Sequence, residues 1–406
     1  MPATLVHELE LPEMTAPDGN FPQRLATASP PPNGSWLVKT LFGYGVFRYD
    51  DVTAVLRDKR WHSASGRIPE LMGITRQDFL ERQQGSILSA EGDEHVRLRR
   101  LVAPAFTPRA ADRLRPFMRQ VMNDLIDPVS ATGRAEFVAD ITEPYPIPII
   151  CELLGAPRSD WQFFSRVASD ILEIFSLDLA DKLDLVMNAQ NEMNAYSLDL
   201  IAARRSEPRD DLLTDLIAAE EAGDKLSTDE LVMMVNAVIV AGTDTTRNQL
   251  GCAVAMFAEH PEQWALLAER PELAGRAVEE AMRYFGAVRG TARFASTDIE
   301  YRDVIFPAGT FIELGLAEAN RQADHFPNPH VFDITSPAPE HPQLTFGSGI
   351  HYCLGAALAR AELQEALPLL AQRMPNLRID GVVTWKPDGV GIFGPASMPI
   401  TFDPHH

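Results

Sequence analysis

The sequence predicts a single, mainly helical domain with small β-sheets and one long central helix. The hydrophobic pattern is mostly helical from residue 50 to about residue 283, and its clearest part is an apolar stretch that begins after Ser227. Strand candidates are short and lie before and after that helical region. Because no repeat, low-complexity tract or linker divides the 406 residues, we predict one domain over residues 1–406, with an irregular lead-in over residues 1–35.

The strand candidates follow in chain order. Residues 36–49 have β character, with Gly43 and Gly45 marking a turn between two short strands. Three further candidates follow the helical region, over residues 291–295, 299–301 and 310–315. Residues 320–348 are proline-rich and predict no regular element, whereas a last helix starts near Cys353 and residues 376–402 predict terminal strands.

The central helix has a clear beginning and end. Ser227 and Glu230 form a capping box, and Pro261 stops the apolar stretch just after His260. Roughly 30 residues at about 1.5 Å each make a rod of about 45 Å, which is long enough to cross the middle of a domain.

Composition narrows the classes of partner and compartment. A formal net charge of -21 argues against nucleic acid or anionic membranes as partners. The N-terminus shows no basic start followed by an apolar stretch, so we expect no signal peptide, no membrane insertion and a cytoplasmic protein. The three cysteines lie far apart, which favours neither a zinc site nor disulfides, and Cys151 and Cys252 lie in apolar, helix-like sequence.

The third cysteine lies in a glycine-rich loop that opens the last helix. Cys is the residue that supplies the strongly donating thiolate needed by a haem that cleaves O–O bonds, and a helix N-terminus stabilises a thiolate. Two glycines allow the tight turns of the loop, and the glycine after the cysteine leaves room for a flat macrocycle. A lone cysteine of this kind is usually structural. Here, however, six residues occur together at the spacing expected of a haem-binding cysteine loop: Phe346, Gly347, Gly349, His351, Cys353 and Gly355.

With this loop the chain resembles the cytochrome P450 family, over most of its length. The resemblance implies a haem-thiolate fold, haem b as the cofactor and a long helix over the haem. It implies that Cys353 is the axial ligand of the iron, that Phe346 packs beside the sulfur and that His351 hydrogen-bonds a haem propionate. His95 and Arg99 otherwise indicate a charged helix face, but the resemblance makes both of them propionate ligands, with Arg293 as a third.

Residues 241–246 place polar side chains near the midpoint of the central helix. We expect a glycine followed by threonines to interrupt the helix there and leave a bulge that holds water. Reductive O₂ activation consumes protons at a buried iron, so an acid and a hydroxyl are required. The alternative is a plain helix crossing with Asp244 pointing to solvent. The resemblance makes Asp244 the proton carrier and Thr245 the alcohol, a pair that argues against the peroxide-using branch of the family.

Glu280 and Arg283 form a Glu-x-x-Arg pair. Such a pair is usually a surface ion pair worth roughly a few tenths of a kcal/mol. The resemblance implies instead a buried, structural pair that supports the cysteine loop. Its usual third member is an arginine, but the matching positions here are Val331 and Ser336, with His330 nearby, so the partner stays unassigned.

The family pattern also outlines a substrate pocket, which includes the loop over residues 62–88. Its other members are Ala237, Val240, Ala241, Val288, Arg289, Gly290, Ile392 and Phe393. Most are apolar or small, which favours a small hydrophobic substrate. Arg289 either anchors a substrate carboxylate or turns outward, and we favour the outward orientation.

The electron supply is predicted to be a separate protein. The chain has no dinucleotide fingerprint, flavin module or iron–sulfur cysteine set, so NAD(P)H would act indirectly, through a ferredoxin reductase and a ferredoxin. We predict that an acidic ferredoxin docks on four arginines of an otherwise acidic, monomeric chain: Arg97, Arg100, Arg109 and Arg113. The leading hypothesis is therefore an O₂-activating monooxygenase. The alternatives are a peroxide-driven haem oxidase (a peroxygenase) and a non-catalytic haem-thiolate gas sensor.

Overall fold

The computed structural model describes residues 3–13, 34–176, 178–221, 226–386 and 392–404. The α-helices are α1 (Tyr49–Arg57), α2 (Ile68–Leu71), α3 (Gln77–Gln84), α4 (Gly92–Val102), α5 (Pro108–Ser130), α6 (Pro146–Leu154), α7 (Trp161–Leu172), α8 (Leu179–Ser206), α9 (Leu212–Glu221), α10 (Thr228–Glu259), α11 (Pro261–Glu269), α12 (Ala274–Phe285), α13 (Leu316–Ala319) and α14 (Ala356–Arg373). The strands are β1 (Thr4–Leu5), β2 (Leu37–Lys39), β3 (Tyr44–Val46), β4 (Trp61–Ser63), β5 (Arg134–Glu136), β6 (Gly290–Ala295), β7 (Ile299–Tyr301), β8 (Val304–Phe306), β9 (Phe311–Gly315), β10 (Arg378–Ile379), β11 (Thr384–Trp385), β12 (Pro395–Ser397) and β13 (Pro399–Thr401).

The mainly helical class with small sheets is therefore confirmed. Most of the predicted irregular lead-in lies outside the described residues, and its first part holds β1. Contacts divide the chain into two compact units, so the single domain stays a prediction. The first unit is Met1–His95, Val288–Val331 and Pro339–Cys353; the second is Val96–Ala287, Phe332–Ala338 and Leu354–His406.

The first unit is built around a five-stranded sheet of order β2-β3-β9-β6-β4 and a three-stranded sheet of order β1-β8-β7. Alternate residues of β9, Ile312 and Leu314, enter the core of this unit. The sequence reading missed β8. Arg302 and Asp303 form the two-residue turn between β7 and β8 with positive φ angles of 50° and 60°, although the glycine or asparagine typical of such turns is absent.

The second unit is a helical assembly in which α10 packs against α6 and α7, while α14 packs against α5 and α12. The predicted capping box is present: the amide of Glu230 donates to Ser227 Oγ at 3.2 Å, and the Ser227 amide donates to the Glu230 carboxylate at 2.7 Å. The helix ends at Glu259, next to Pro261, as predicted. The expected terminal strands form two small sheets, β10-β13-β5 and β11-β12.

No α-helix in the described part of the chain combines the length and the apolarity that a bilayer-spanning segment requires.

Candidate functional site

The cysteine loop of the first unit is a tight, backbone-bonded turn. The amide of Cys353 donates to the carbonyl of Phe346 at 2.9 Å, which closes the turn. Gly347 and Gly349 both have positive φ angles, of 71° and 74°. A Cβ on Gly349 would lie 2.1 Å from the carbonyl oxygen of Leu56, at the end of α1. The glycine at this position is therefore required by close packing as well as by its φ angle.

The sulfur-bearing residue is partly exposed, whereas the other two cysteines are buried. Burial raises the pKa of the Cys151 thiol to about 12, which makes it inert at neutral pH. The ring of Phe346 is half-buried and meets the ring of Tyr352 edge-on, with a centroid distance of 6.3 Å. Cys353 is thus the least buried of the three cysteines.

Two imidazoles come together next to the loop in the first unit. The rings of His95 and His351 have centroids 4.4 Å apart, and His351 Nε2 lies 3.0 Å from Glu91 Oε1. Glu91 also accepts the amide of Ser63 at 2.6 Å. Although burial favours the neutral acid, these hydrogen bonds hold the pKa of Glu91 below its usual range. The sequence reading missed Glu91, whose only signal was its place just before α4.

Arg293 is a buried cation in β6 of the same unit. Its side chain is 5% exposed, and Nη1 donates to the Ala292 carbonyl at 2.8 Å and to Thr291 Oγ1 at 3.2 Å. No carboxylate of the described chain lies within ion-pairing distance of it. Burial lowers the pKa of Arg293 to about 10, and Glu91 only partly opposes this. Such a guanidinium is suited to an anionic ligand.

The remaining predicted cofactor residues belong to the second unit. Arg99 is half-buried in α4, the helix in which the chain passes from the first unit to the second. Gly355 precedes α14 and accepts the amide of Ala359 at 2.9 Å, and an added Cβ on Gly355 would meet nothing within 4 Å.

Asp244 is buried in α10 and is bound by two cations. Its residue exposure is 3%, so the solvent-facing alternative is wrong. Lys386 Nζ lies 3.1 Å from Oδ1 of Asp244, and Arg247, one turn further along α10, also pairs with that carboxylate. Arg247 is held in turn by Ser169 Oγ at 2.9 Å.

Sequence reasoning missed both cations. Arg247 could have been found from its i, i+3 spacing to Asp244. Lys386, by contrast, is distant in sequence and only its position in a terminal strand was predicted. Burial lowers the pKa of Lys386, and Asp244 opposes this shift.

The predicted interruption of the central helix is wrong, because α10 runs from Thr228 to Glu259 without a break. The hydroxyls bond back within the helix: Thr243 Oγ1 donates to the Ile239 carbonyl at 2.6 Å, and Thr245 Oγ1 donates to the Ala241 carbonyl at 2.8 Å. Back-bonding of this kind satisfies the threonines without opening the ladder.

One face of α10 is less covered than the rest of the helix. Ala241 is exposed, and Ala237, Val240 and Thr245 are half-buried, whereas Thr243, Asp244 and Thr246 are buried. Ala237, Val240, Ala241 and Thr245 recur at helical spacing, so three predicted pocket residues share one face with the predicted alcohol.

The other predicted pocket residues lie in both units. In the first unit, Val288 is half-buried and Gly290 is exposed. Arg289 is 9% exposed, so the outward orientation is wrong: its guanidinium is directed into the protein. In the second unit, Ile392 is half-buried, and the buried ring of Phe393 stacks on Trp385 with centroids 5.0 Å apart.

The Glu280–Arg283 pair is buried, with side-chain exposures of 12% and 7%, and both contacts between the two side chains are 2.8 Å. The backbone amide of Asp333 donates to Glu280 Oε1 at 3.1 Å. A main-chain donor therefore supplements the pair, and neither Val331 nor Ser336 carries a cationic side chain.

The four predicted docking arginines do not share one environment. Arg100, Arg109 and Arg113 are exposed in the second unit and form no ion pair with described residues, whereas Arg97 pairs with Glu230. The free positive charge of this surface therefore belongs to the first three.

Comparisons with known proteins agree on one family. The family model described as cytochrome P450 matches residues 158–375. The chain is 37% identical over 380 residues to the mycinamicin IV hydroxylase/epoxidase of Micromonospora griseorubida, covering 92% of this chain and 91% of the relative. It is 34% identical over 397 residues to the luteothin monooxygenase of Streptomyces thioluteus, covering 97% and 96%. The crystal structure of CalO2 matches with a TM-score of 0.85 and 31% identity, covering 95% of this chain and 96% of that one.

Proposed function

Because the chain belongs to the cytochrome P450 family of haem-iron monooxygenases, we propose that Cys353 is the thiolate that holds its iron and that Asp244 and Thr245 supply protons for oxygen reduction. When bound, the haem supplies an iron that binds O₂ and activates it reductively. The substrate is a small, mostly hydrophobic organic molecule.

The observation that carries this proposal is the buried guanidinium of Arg293, which has no carboxylate within ion-pairing distance among the described residues. In the same unit His351 meets the carboxylate of Glu91 at 3.0 Å, and the ring of His95 lies against that of His351. A haem b carries two propionates, and buried carboxylates need partners of this kind. The donor set therefore fits the cofactor that the family implies, with Cys353 as the metal ligand and Arg99 as a further propionate partner.

The proton-supplying residues act within α10. The carboxyl group of Asp244 lies between Lys386 and Arg247, so these partners or water must rearrange when it passes on a proton. The hydroxyl of Thr245 donates to the Ala241 carbonyl at 2.8 Å and can turn toward a ligand by rotation about one side-chain bond. The pair can thus hold and release a proton at two defined oxygen atoms.

The substrate class follows from the predicted pocket residues. Ala237, Val240, Ala241, Val288 and Phe393 are apolar, which supports a hydrophobic substrate. Arg289 is the exception. As a buried cation it supports a substrate with one anionic or strongly accepting group. The two relatives are named for different compounds, mycinamicin IV and luteothin, although both are similarly identical to this chain. Overall sequence similarity therefore does not identify its substrate.

The electron supply is a reductase that oxidises NAD(P)H and an acidic ferredoxin that docks on Arg100, Arg109 and Arg113. These exposed arginines form no ion pair with the described residues of a chain whose net charge is -21, which supports attraction of an acidic partner to this surface. The cytoplasmic location and the monomeric state stay predictions.

The proposal is tested with isotopically labelled O₂, a ferredoxin system and a panel of apolar acids and neutral analogues. The expected result is substrate-dependent NAD(P)H consumption with one labelled oxygen atom in the product. Oxidation with hydrogen peroxide alone, and none with O₂, would favour the peroxygenase alternative. Gas binding without oxidation of any substrate would favour the sensor.

A further inference from the structure

Gln249 is a buried amide on α10, one helical turn beyond Thr245. The residue is 4% exposed. Because Ala241, Thr245 and Gln249 are spaced four residues apart, Gln249 lies in line with the helix face that carries predicted pocket residues. A buried amide needs hydrogen-bond partners, and Gln249 finds them outside its own helix.

Both partners of this side chain are main-chain groups at the end of α12, in the second unit. Nε2 donates to the carbonyl of Phe285, the last residue of α12, at 3.3 Å, and Oε1 accepts the amide of Ala287 at 2.9 Å. The last carbonyls of an α-helix have no partner within the helix, and the first bond satisfies a group of this kind. One side chain therefore holds the main chain on both sides of Gly286.

The other main-chain group of Ala287 bonds to a segment that carries a predicted pocket residue. The carbonyl of Ala287 accepts the amide of Phe393 at 2.9 Å. The ring of Phe393 meets that of Phe285 edge-on, with a centroid distance of 5.8 Å, and stacks on Trp385. Trp385 in turn meets Phe285 edge-on at 5.4 Å. The position of Phe393 thus depends on the main chain that Gln249 holds.

The residues that follow Phe393 pack closely on α10. A Cβ added to Gly394 would lie 2.3 Å from Oδ1 of Asn248, and one added to Gly251 would lie 2.6 Å from Cγ of Pro395. Interiors packed this tightly resist further approach. The packing therefore limits movement of residues 393–395 toward α10, and the hydrogen bonds through Ala287 limit their withdrawal.

We propose that Gln249 is a positioning residue that fixes Phe393 in the substrate pocket, acting through the main chain of Ala287. A pocket wall that is already ordered binds an apolar molecule without the cost of ordering that wall. Loss of the amide should therefore weaken the binding of ligands that reach Phe393 and leave the binding of smaller ligands unchanged. The inference rests on the proposed placement of Phe393 in the pocket, but its test needs no turnover.

Absorption titrations of the haem-loaded protein with two probes test this role. Imidazole reports on access to the iron, whereas 4-phenylimidazole adds a ring that the pocket must accommodate. Gln249→Met removes both hydrogen bonds at nearly constant volume, so the dissociation constant of 4-phenylimidazole should rise about tenfold while that of imidazole stays unchanged. The conservative variant Gln249→Glu keeps an acceptor for the amide of Ala287 and should retain most of the affinity.

The matched control is Gln263→Met on α11. Gln263 is also a glutamine that binds a main-chain amide of the second unit, that of Ile334, at 3.0 Å. Neither dissociation constant should change in this variant. If Gln249→Met lowers the melting temperature but leaves the ratio of the two constants as in wild type, the amide is merely structural and the inference is overturned.

The double variant of Gln249→Met with Phe393→Ala shows whether Gln249 acts through that ring. Once the ring is absent, Gln249→Met should weaken 4-phenylimidazole no further, whereas additive losses would contradict action through Phe393. If Gln249→Met does not fold, Gln249→Asn, whose amide is one methylene shorter, gives the same comparison with the same two outcomes. A shifted ratio in a protein that oxidises no substrate with O₂ would refute the proposed function and support the positioning role.

Discussion

Lys386 Nζ lies 3.1 Å from Oδ1 of Asp244, which joins the residue after β11 to the middle of α10. Arg247 holds the same carboxylate from one helical turn away. The acid of the predicted acid–alcohol pair is therefore fixed by two cations, and its behaviour depends on both.

Replacing Asp244 by Asn should lower both the stability of the fold and the turnover with O₂. The variant leaves the buried Arg247 and the half-buried Lys386 without their shared counterion, so we expect the free energy of unfolding to fall by about 3 kcal/mol in denaturant titrations. Turnover with O₂ should fall by roughly 100-fold, because a positioned proton carrier is lost.

The control is the double variant Asp244→Asn with Lys386→Met. Removing one of the unpaired cations should restore part of the lost stability but none of the turnover. A double variant that regained activity would show that Asp244 holds Lys386 in place rather than carrying protons.

Thr245→Ala should uncouple O₂ consumption from product formation. Without the hydroxyl, proton delivery would no longer be controlled, and more of the O₂ consumed would end as hydrogen peroxide instead of product. Thr245→Ser, which keeps the hydroxyl, should retain most of the coupling. The measurement is peroxide formed per NAD(P)H oxidised. Equal yields in wild type and Thr245→Ala would argue against a role for the alcohol, and turnover retained with peroxide but lost with O₂ would favour the peroxygenase alternative.

Arg293→Leu should weaken haem binding, because a buried cation with no carboxylate of the described residues within ion-pairing distance is suited to an anionic ligand. We expect the haem dissociation constant to rise at least about tenfold, equivalent to about 1.4 kcal/mol. Transfer of haem to an acceptor protein measures this. Arg293→Lys keeps the charge and should lose less haem affinity than Arg293→Leu. Unchanged affinity in Arg293→Leu would remove Arg293 from the set of propionate partners.

Charge reversal of Arg109 and Arg113 should weaken docking of the acidic ferredoxin. Both side chains are exposed, so the effect should appear mainly in the rate of association and in its dependence on salt. The control reverses the same number of charges at the exposed Arg134 and Arg378 of the β10-β13-β5 sheet. If both double variants shift the salt dependence of reduction equally, only net charge matters and no docking surface exists at α5.

Local signals predicted much of the fold. The capping box and Pro261 give the limits of α10, and the alternation of apolar residues predicts β6, β7 and β9. The β7–β8 turn could not be predicted from the sequence, because Arg302 and Asp303 adopt positive φ angles although neither is a glycine. The helix break at residues 241–246 was wrong because the threonines bond back to carbonyls within α10.

Motifs predicted the site residues that lie close in sequence, but not their partners. The contacts of Asp244 with Lys386, of Glu280 with the Asp333 amide, and of His351 with Glu91 join positions far apart in the chain. Such pairings depend on tertiary packing, which no spacing rule contains. Arg289 shows the same limit, since an isolated arginine in a sequence indicates exposure unless its surroundings are known.

The most direct test of the central claim is the reduced carbon monoxide spectrum of the haem-loaded protein and of its cysteine variants. We predict a thiolate-ligated spectrum in wild type, its loss in Cys353→Ser, and its retention in the controls Cys151→Ala and Cys252→Ala. A thiolate spectrum that persists in Cys353→Ser, or that is absent from wild type, would contradict the account.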